Sequence, residues 1–466
     1  MKIAFHGAAR TVTGSKHLIT LDNDTQILLD CGLFQGMGHA TEKLNENFGF
    51  DAKQVTHVVL SHAHIDHCGL LPRLVAQGFE GRIFCTSATM DLARILLLDS
   101  AHIQEQDADY MNRHRRGAEE VEQPLYTEED VVKTIGFCKI VSYNELFEIE
   151  PDVKLKFTDA GHILGSAAVH LTILENEKTT QLTFSGDVGR YGDLLLKSPQ
   201  IFDQAGYIVL ESTYGDSLHK DIAPIENQLF QMVQHTCVDK KGKLIIPAFS
   251  VGRTQELLYA LNTLELKGKL PDVRYYVDSP LSSKATAVLK NHPEVYNNGV
   301  KETLKIDHDV FSFKGLEFIE SVEQSKSLND DPRPCVIISA SGMADAGRVK
   351  HHIKNNISNK KNTVLLVGYC SPESLGGELM AGKKVVDIFH KDYTVEAEVQ
   401  SIKSMSAHGD YEDLLQFVSC QDPKKVKQLF LVHGDYDVQQ HFAKTLNNHG
   451  FKDVQIPEYH QEFKLS

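Results

Sequence analysis

One short segment of the chain concentrates side chains that bind metal ions. Within six residues lie three histidines and an aspartate, namely His62, His64, Asp66 and His67. Zinc takes neutral imidazole and carboxylate groups as ligands in proteins. His62 and His64 are two residues apart, so in extended chain they can face the same way and bind one ion. Asp66 and His67 follow and can reach a second ion. We prefer this metal site to the alternative, a polar turn with incidental histidines.

The flanking sequence places this segment on a turn between a strand and a helix. Residues 55–60 form a run typical of a buried strand. After the segment, apolar residues recur at helical spacing, at Leu70, Leu71, Leu74 and Val75. By contrast, residues 36–51 are polar and rich in glycine and asparagine, and we predict a loop there.

Further histidine and carboxylate side chains follow predicted strands elsewhere in the chain. They are Asp30, His162, Asp187, Glu211, His408 and His433. His162 lies at a strand end between glycines, the form expected of another ligand, and a carboxylate such as Asp187 can bridge two metal sites. Asp30 either accepts a hydrogen bond from a metal-binding histidine or is an ordinary turn aspartate, and the sequence leaves both open. Cys68 is expected to pack beside the site and not to bind metal.

Composition indicates a cytoplasmic protein of several domains. The 466 residues allow about two to four domains. No apolar run approaches the ~18 residues of a membrane span, and the first residues do not have the pattern of a signal peptide. The eight cysteines include no CxxC pair, which fits a reducing compartment. We therefore expect a cytoplasmic protein with no membrane contact.

The net charge of the chain bears on whether its surface could bind nucleic acid. The formal net charge is −15. Because nucleic-acid binders usually carry a basic footprint, this charge argues against tight, non-specific binding over the whole surface. A local basic channel is still compatible with it. The densest basic segment is residues 112–117, for which a solvated loop and a phosphate contact are both open interpretations.

From about residue 213 the pattern changes to strands and helices that alternate with short connections. This order is typical of an open, mostly parallel α/β sheet, whose ligands bind beyond the carboxyl ends of the strands. Small or basic residues lie at those predicted ends, at Ser250, Arg253, Ser279, Ser341 and Gly342. Turns of this kind near helix starts offer N–H groups to phosphate. We predict that Arg253, Ser279, Ser341 and Gly342 contact a substrate phosphate.

Near residue 393 the first pattern returns. A strand is predicted over residues 395–402, a turn with His408 follows, and a later strand ends at His433. The simplest organisation is one metal domain, residues 1–212 and 395–466, that is split by an inserted α/β domain, residues 213–394.

With these residues in hand, the chain resembles the β-CASP branch of the metallo-β-lactamase superfamily. The HxHxDH motif at residues 62–67 carries the resemblance to the superfamily. Aspartate at position 187, where lactamases commonly have cysteine, is similar to the binuclear phosphodiesterase and hydrolase branches. The branch motifs occur in order at Asp30, residues 62–67, His162, Asp187, Glu211, His408 and His433. The resemblance covers essentially the whole chain and implies an α/β fold, an αββα sandwich with an inserted parallel β-CASP domain.

The resemblance also implies a ligand set for two zinc ions. One ion would be held by His62, His64, His162 and Asp187, and the other by Asp66, His67, Asp187 and His433. Manganese suits the same ligands and is left open. Glu211 and His408 would be catalytic partners, and Asp66 would also orient the nucleophile.

The implied function is that of an RNA-processing nuclease. The branch holds RNA- and DNA-cleaving enzymes, including the pre-mRNA 3′-end endonuclease, and the absence of an archaeal-type N-terminal extension points to a compact bacterial-type member. We expect a binuclear-zinc ribonuclease that attacks single-stranded RNA with a metal-bound hydroxide, since zinc lowers the pKa of bound water to about 7. His408, paired with Glu211, would protonate the departing ribose oxygen.

Several alternatives stay open at this point. DNA as substrate, exonuclease besides endonuclease action, and a homodimer are compatible with the sequence. A different function is hydrolysis of a small ester, thioester or cyclic phosphate on the same metal loop. A metal-free scaffold is the weakest alternative, because the ligand set is complete.

Overall fold

A computed structural model describes residues 1–114, 121–219, 224–368, 370–402 and 406–465. Residues 115–117 of the basic segment therefore lie outside the described residues. The chain separates into two compact units, the first Met1–Leu218 with His408–Ser466 and the second His219–Ala407. The domain limits predicted from the sequence stay a prediction. They follow a change of pattern along the sequence, whereas the compact units are defined by contacts in space.

The first unit contains two mixed sheets of seven described strands each. The first sheet is antiparallel on one side and parallel from its fourth strand onward. In spatial order its strands are Glu462–Lys464, Lys2–Phe5, His17–Thr20, Gln26–Leu29, His57–Val59, Arg82–Cys85 and Cys138–Ile140. The second sheet has the order Val454–Gln455, Gln428–Val432, Tyr207–Glu211, Lys178–Phe184, Ala167–Glu175, Val153–Asp159 and Phe147–Glu150. Here the first four strands are parallel and the rest antiparallel.

Alternation along the strands sends side chains to two different cores. In Tyr207–Glu211, Tyr207 and Val209 join the core shared by the two sheets, whereas Ile208 and Leu210 pack beneath outer helices. Successive strand side chains point to opposite faces, so one strand contributes to both layers. The outcome is an αββα sandwich, as predicted. The α-helices of this unit are Thr41–Glu46, Ile65–Cys68, Leu71–Ala76, Ser87–His114, Glu128–Gly136, Tyr411–Val418 and Tyr436–Asn448.

The second unit is built on a sheet of six parallel strands. Their spatial order is Leu316–Phe318, Arg274–Asp278, Cys335–Ser339, Lys243–Pro247, Thr363–Val367 and Glu398–Ile402. A small hairpin joins Val385–Asp387 to Asp392–Thr394. The α-helices are Ile225–Val233, Arg253–Leu266, Pro280–Lys290, Asn298–Thr303, Val322–Asp330, Gly347–Asn356 and Leu375–Met380. The predicted α/β class, with a parallel sheet in this part, is confirmed.

Two details differ from the sequence-based expectation. Residues 36–51, predicted as a loop, contain the 3₁₀ turn Gly38–Ala40 and the helix Thr41–Glu46, so that prediction is wrong. The strand Glu398–Ile402 pairs with Thr363–Val367 at the edge of the parallel sheet, and so lies in the second unit. Among the described residues, no helix combines the length and the apolar character that crossing a bilayer requires.

Candidate metal centre

The motif at residues 62–67 is held by the loop that follows the neighbouring strand Gln26–Leu29. After the strand His57–Val59 the chain turns into the short helix Ile65–Cys68. The Cys31 N–H donates to the carbonyl of His67 at 2.8 Å. A Cβ on Gly32 would lie only 1.6 Å from the carbonyl oxygen of Asp66, so this close approach requires glycine. The loop after the strand Gln26–Leu29 therefore fixes the backbone of the motif.

Four ligand atoms form a first cluster. The Nδ1 of His64 lies 3.2 Å from the Nε2 of His62 and 3.1 Å from the Nε2 of His162. The Oδ2 of Asp187 lies 3.4 Å from His62 Nε2 and 3.6 Å from His162 Nε2. Tetrahedral zinc with bonds of about 2.0–2.1 Å separates its ligands by about 3.4 Å. The first cluster thus has the spacing of a tetrahedral metal site.

A second cluster uses the other carboxylate oxygen of Asp187. The Oδ1 of Asp187 lies 3.3 Å from the Nε2 of His67, and the Oδ2 of Asp66 lies 3.2 Å from the Nε2 of His433. His67 Nε2 and Asp187 Oδ1 are buried and have no hydrogen-bond partner among the described residues. Buried polar atoms are rarely left unpaired, so these two atoms fit the role of ligands to a cation. The clusters therefore meet at Asp187.

Hydrogen bonds behind the imidazoles fix which nitrogen faces the centre. The Nδ1 of His67 donates to the Oδ2 of Asp30 at 2.6 Å. The hydroxyl of Ser61 donates to the same oxygen at 2.8 Å, so its lone pair is available to the Nδ1 of His62 at 3.0 Å. A donor role for Nδ1 leaves the Nε2 lone pair of both rings for a metal. Of the two interpretations of Asp30, the structure favours the one that orients a histidine.

A similar arrangement lies behind His433. The Thr213 hydroxyl donates to the Oε2 of Glu211 at 2.6 Å and lies 3.0 Å from the Nδ1 of His433. Since the single hydroxyl proton goes to the carboxylate, Thr213 accepts from His433 Nδ1, and Nε2 faces Asp66. Glu211 is fully buried, and its Oε1 accepts the Val188 N–H at 2.7 Å. Thr213 was missed by sequence reasoning, and its only sequence signal is its place two residues after Glu211.

Burial and neighbouring charges shift the pKa values of the imidazoles and of the carboxylate in the two clusters. Burial lowers the pKa of His62 well below its usual range and lowers that of His64 to about 4, so both rings are neutral. Burial alone would raise the pKa of Asp187, but His433, His67 and His62 together hold it well below the usual range. Burial also acts to lower the pKa of His67, but the Asp187 and Asp30 carboxylates outweigh it and hold that pKa well above the usual range. A cation would thus bind two neutral imidazoles and an ionised carboxylate in the first cluster, and would displace a proton from His67 in the second.

His408 lies next to both clusters and has a different character. Its Nδ1 is 3.2 Å from the Oε1 of Glu211 and 3.9 Å from the Oδ2 of Asp187. Burial lowers the pKa of His408, but the carboxylates of Glu211, Asp187 and Asp66 together outweigh this and raise it to about 9. Its side chain is 20% exposed, whereas His62 has no exposed surface. His408 is thus a protonated imidazole that solvent reaches. Asp187, Glu211, His408 and His433 are also close enough to act as a third ligand set.

The residues predicted to contact phosphate lie at the carboxyl ends of three adjacent strands in the second unit. Ser279 begins the helix Pro280–Lys290, where its hydroxyl accepts the Ser282 N–H. Ser341 is partly exposed, and Gly342 is buried. Arg253 is 6% exposed and forms an ion pair with Glu256. Exposure thus favours Ser341 over Arg253 as a contact with substrate.

Comparison with known families covers most of the chain. Residues 13–92 match the metallo-beta-lactamase superfamily, residues 254–379 the Beta-Casp domain, and residues 392–457 the Zn-dependent metallo-hydrolase RNA specificity domain. A solved structure of a protein of unknown function from Enterococcus faecalis V583 has a TM-score of 0.54 and 12% identity, covering 100% of this chain and 99% of its own. That likeness shows the fold alone.

Relatives among known proteins match this chain over 93–98% of its length. A ribonuclease of Thermus thermophilus is 33% identical over 446 residues, 96% of each chain. An RNase J-like protein of Methanocaldococcus jannaschii is 30% identical over 98% of this chain and 97% of its own. The transcription termination factor FttA of Methanosarcina mazei is 31% identical over 93% of this chain and 67% of its own. Together with the buried imidazole and carboxylate clusters, these matches show that the chain belongs to the β-CASP family of the metallo-β-lactamase superfamily.

Proposed function

We propose that the protein is a metal-dependent phosphodiesterase that cleaves single-stranded RNA. The observation that carries this proposal is the position of Asp187, whose Oδ2 faces His62 and His162 at 3.4 and 3.6 Å and whose Oδ1 faces His67 at 3.3 Å. A pair of metal ions sharing one carboxylate suits the in-line displacement of a phosphodiester. The ribonuclease and RNase J-like names of two relatives support RNA as the substrate class.

In this proposal each cluster holds one metal ion. His62, His64, His162 and Asp187 would bind the first, and Asp66, His67, Asp187 and His433 the second. Zinc is the metal that we propose, with manganese as the alternative for the same nitrogen and oxygen donors. Asp30, Ser61 and Thr213 would keep the ligand rings in the required tautomer.

A metal pair at these positions would supply Lewis-acid chemistry, which activates water and neutralises charge on a phosphate oxygen. Asp66 would orient the attacking water, because its Oδ2 lies at the edge of the second cluster. His408 would give a proton to the departing ribose oxygen. Since His408 Nδ1 faces Glu211, that proton would come from Nε2, and Glu211 would keep the ring charged until transfer.

The remaining predictions about substrate and setting are also part of this proposal. Ser279, Ser341, Gly342 and Arg253 would contact substrate phosphates, with Ser341 the most accessible hydroxyl. A cytoplasmic location and a homodimer stay predictions from the sequence and from the family. So does endonuclease action, with exonuclease action as the alternative.

The test is cleavage of a 5′-labelled, partly structured RNA by zinc-loaded protein and by chelator-treated protein. We expect discrete cuts at unpaired positions that disappear with chelator and return with zinc. A ladder from one end would support exonuclease action. If zinc-loaded protein hydrolyses bis(p-nitrophenyl) phosphate but leaves RNA intact, the substrate class is wrong and a small ester or cyclic phosphate takes its place.

A further inference from the structure

The second unit contains a basic segment that takes no part in the proposed metal chemistry. Residues 346–372 contain five lysines and arginines and no aspartate or glutamate, in a chain with 63 acidic and 48 basic residues. Most of its basic residues lie on or just after the helix Gly347–Asn356. Against a net charge of −15, such a segment makes a local positive surface.

An exposed aromatic ring lies on this helix. Phe389, 41% exposed, is in the turn of the hairpin between Val385–Asp387 and Asp392–Thr394. Its ring centroid is 4.6 Å from that of His351, and the two rings are inclined by 32°. The Nζ of Lys350 and the Nζ of Lys354 lie 5.1 and 5.7 Å from the Phe389 centroid. The ring is thus bordered by two ammonium groups.

The hairpin turn is anchored so that this ring stays at the surface. Ile388, directly before Phe389, is fully buried, and Val386 is 1% exposed. Phe389 itself has a φ of 56°, a conformation that bulky residues seldom adopt. Burial of the neighbouring apolar side chains explains why the turn is ordered, but it gives no reason for an exposed phenylalanine. A ligand that uses the ring would give one.

The two lysines beside the ring are not paired with carboxylates of the protein. Within the described parts of the chain, neither Lys350 nor Lys354 forms an ion pair with a carboxylate. By contrast, Lys383 in the same unit pairs with Glu378 at 2.6 Å. Ammonium groups gathered without counter-charges favour a polyanion as the partner.

We propose that Lys350, Lys354 and Phe389 form a binding site for the backbone and one base of single-stranded RNA. Lysines neutralise phosphates and release counterions, and an exposed aromatic ring stacks on any base. Two ammonium groups beside one exposed ring thus offer partners for the phosphates and for one base of an unpaired strand. This site rests on the proposed function and adds to it an anchoring surface on the second unit.

The experiment measures binding of a fluorescent phosphorothioate oligouridylate, whose hydrolysis is slow, at several salt concentrations. Zinc-loaded wild type is compared with Lys350→Gln/Lys354→Gln and with Phe389→Ala. The control is Lys267→Gln/Lys269→Gln, which removes the same charge at exposed positions after another helix of the unit. Turnover of bis(p-nitrophenyl) phosphate reports whether the metal centre is intact.

We expect the double lysine variant to lower the slope of log affinity against log salt by about 1.4, or about 0.7 for each lost phosphate contact. Between about 50 and 200 mM salt, its affinity would then fall about sevenfold less than that of wild type. Phe389→Ala should weaken binding by roughly 5- to 150-fold with an unchanged slope. The control variant should match wild type, and all variants should turn over the small diester normally.

The outcomes separate this site from the function on which it rests. If wild type binds and cuts RNA while the site variants behave like the control, the site is wrong and the function stands. If wild type hydrolyses the small diester but neither binds nor cuts RNA, the proposed function fails and the site fails with it. Equal loss of affinity in the site and control variants would mean a general charge effect, which also overturns the site.

Discussion

Replacing Thr213 with valine should weaken one metal site and spare the other. Valine keeps the shape of threonine but removes the hydroxyl that lies 2.6 Å from Glu211 Oε2 and 3.0 Å from His433 Nδ1. Loss of such an outer partner costs about 10- to 100-fold in metal affinity, which corresponds to about 1.4–2.7 kcal/mol. Glu211 keeps the backbone N–H groups of Val188 and Thr213, so the free energy of unfolding should fall by only about 1–2 kcal/mol.

The assay is zinc titration against a chromogenic chelator. For Thr213→Val we expect one of the two binding steps to shift by 10- to 100-fold, because the hydroxyl lies against His433, a member of the second cluster. In the first cluster the partner of His62 is the hydroxyl of Ser61, so the other binding step should keep its affinity. Thr213→Ser retains the hydroxyl and is the matched control. The reasoning is refuted if both steps weaken equally, or if serine is as damaging as valine.

Three further predictions concern other parts of the molecule. His408→Ala should keep both metal ions and lose about 10²- to 10⁴-fold in RNA turnover; loss of metal in this variant would make His408 a ligand. Arg253→Ala should weaken RNA binding with the metals intact, and an unchanged affinity would remove Arg253 from the phosphate site. Because Arg253 pairs with Glu256, the same substitution should also lower the free energy of unfolding by about 3 kcal/mol. Burial lowers the pKa of Lys16 to about 7, so above that pH the folded state holds this side chain neutral while the unfolded state still protonates it, and the stability of wild type relative to Lys16→Met should rise by about 1 kcal/mol per pH unit between about pH 8 and 10. Urea unfolding of both proteins at each pH measures this difference, and a difference that does not change with pH would contradict the prediction.

The metal motif was predictable because its chemistry is local in sequence. Three imidazoles and a carboxylate within residues 62–67 have few structural explanations, and the strand before them fixes where they emerge. The distant partners His162 and Asp187 were also predictable, since a polar side chain at a strand end next to glycine stands out. That they meet at 3.6 Å is a property of the sheet order, which the sequence pattern does not contain.

What sequence reasoning missed depends on which atoms meet in three dimensions. Ser61 and Thr213 are ordinary hydroxyl residues in the sequence, and only the hydrogen-bond geometry shows that they act behind His62 and His433. Arg253, expected to face substrate, is 6% exposed beside Glu256, so its contact with phosphate stays a prediction. Exposure is set by neighbours that lie far away in sequence, so a basic residue at a strand end is weak evidence for phosphate binding.

The surface around Phe389 was not predicted for a related reason. Phe389 and His351 are 38 positions apart in the sequence, and their approach appears only in the folded unit. The strand Glu398–Ile402 shows the same limit. Its alternating pattern predicts a strand, but not which of two sheets it joins, because alternation describes faces and not neighbours.

The central claim is that Asp187 holds two metal ions that carry out RNA cleavage. The most direct test is metal content by mass spectrometry, with cleavage of single-stranded RNA, for wild type and Asp187→Ala side by side. We predict two zinc ions per wild-type chain, fewer than one in the variant, and cleavage by wild type alone. An Asp187→Ala protein that keeps two metal ions, or that cuts RNA at the wild-type rate, would contradict the account.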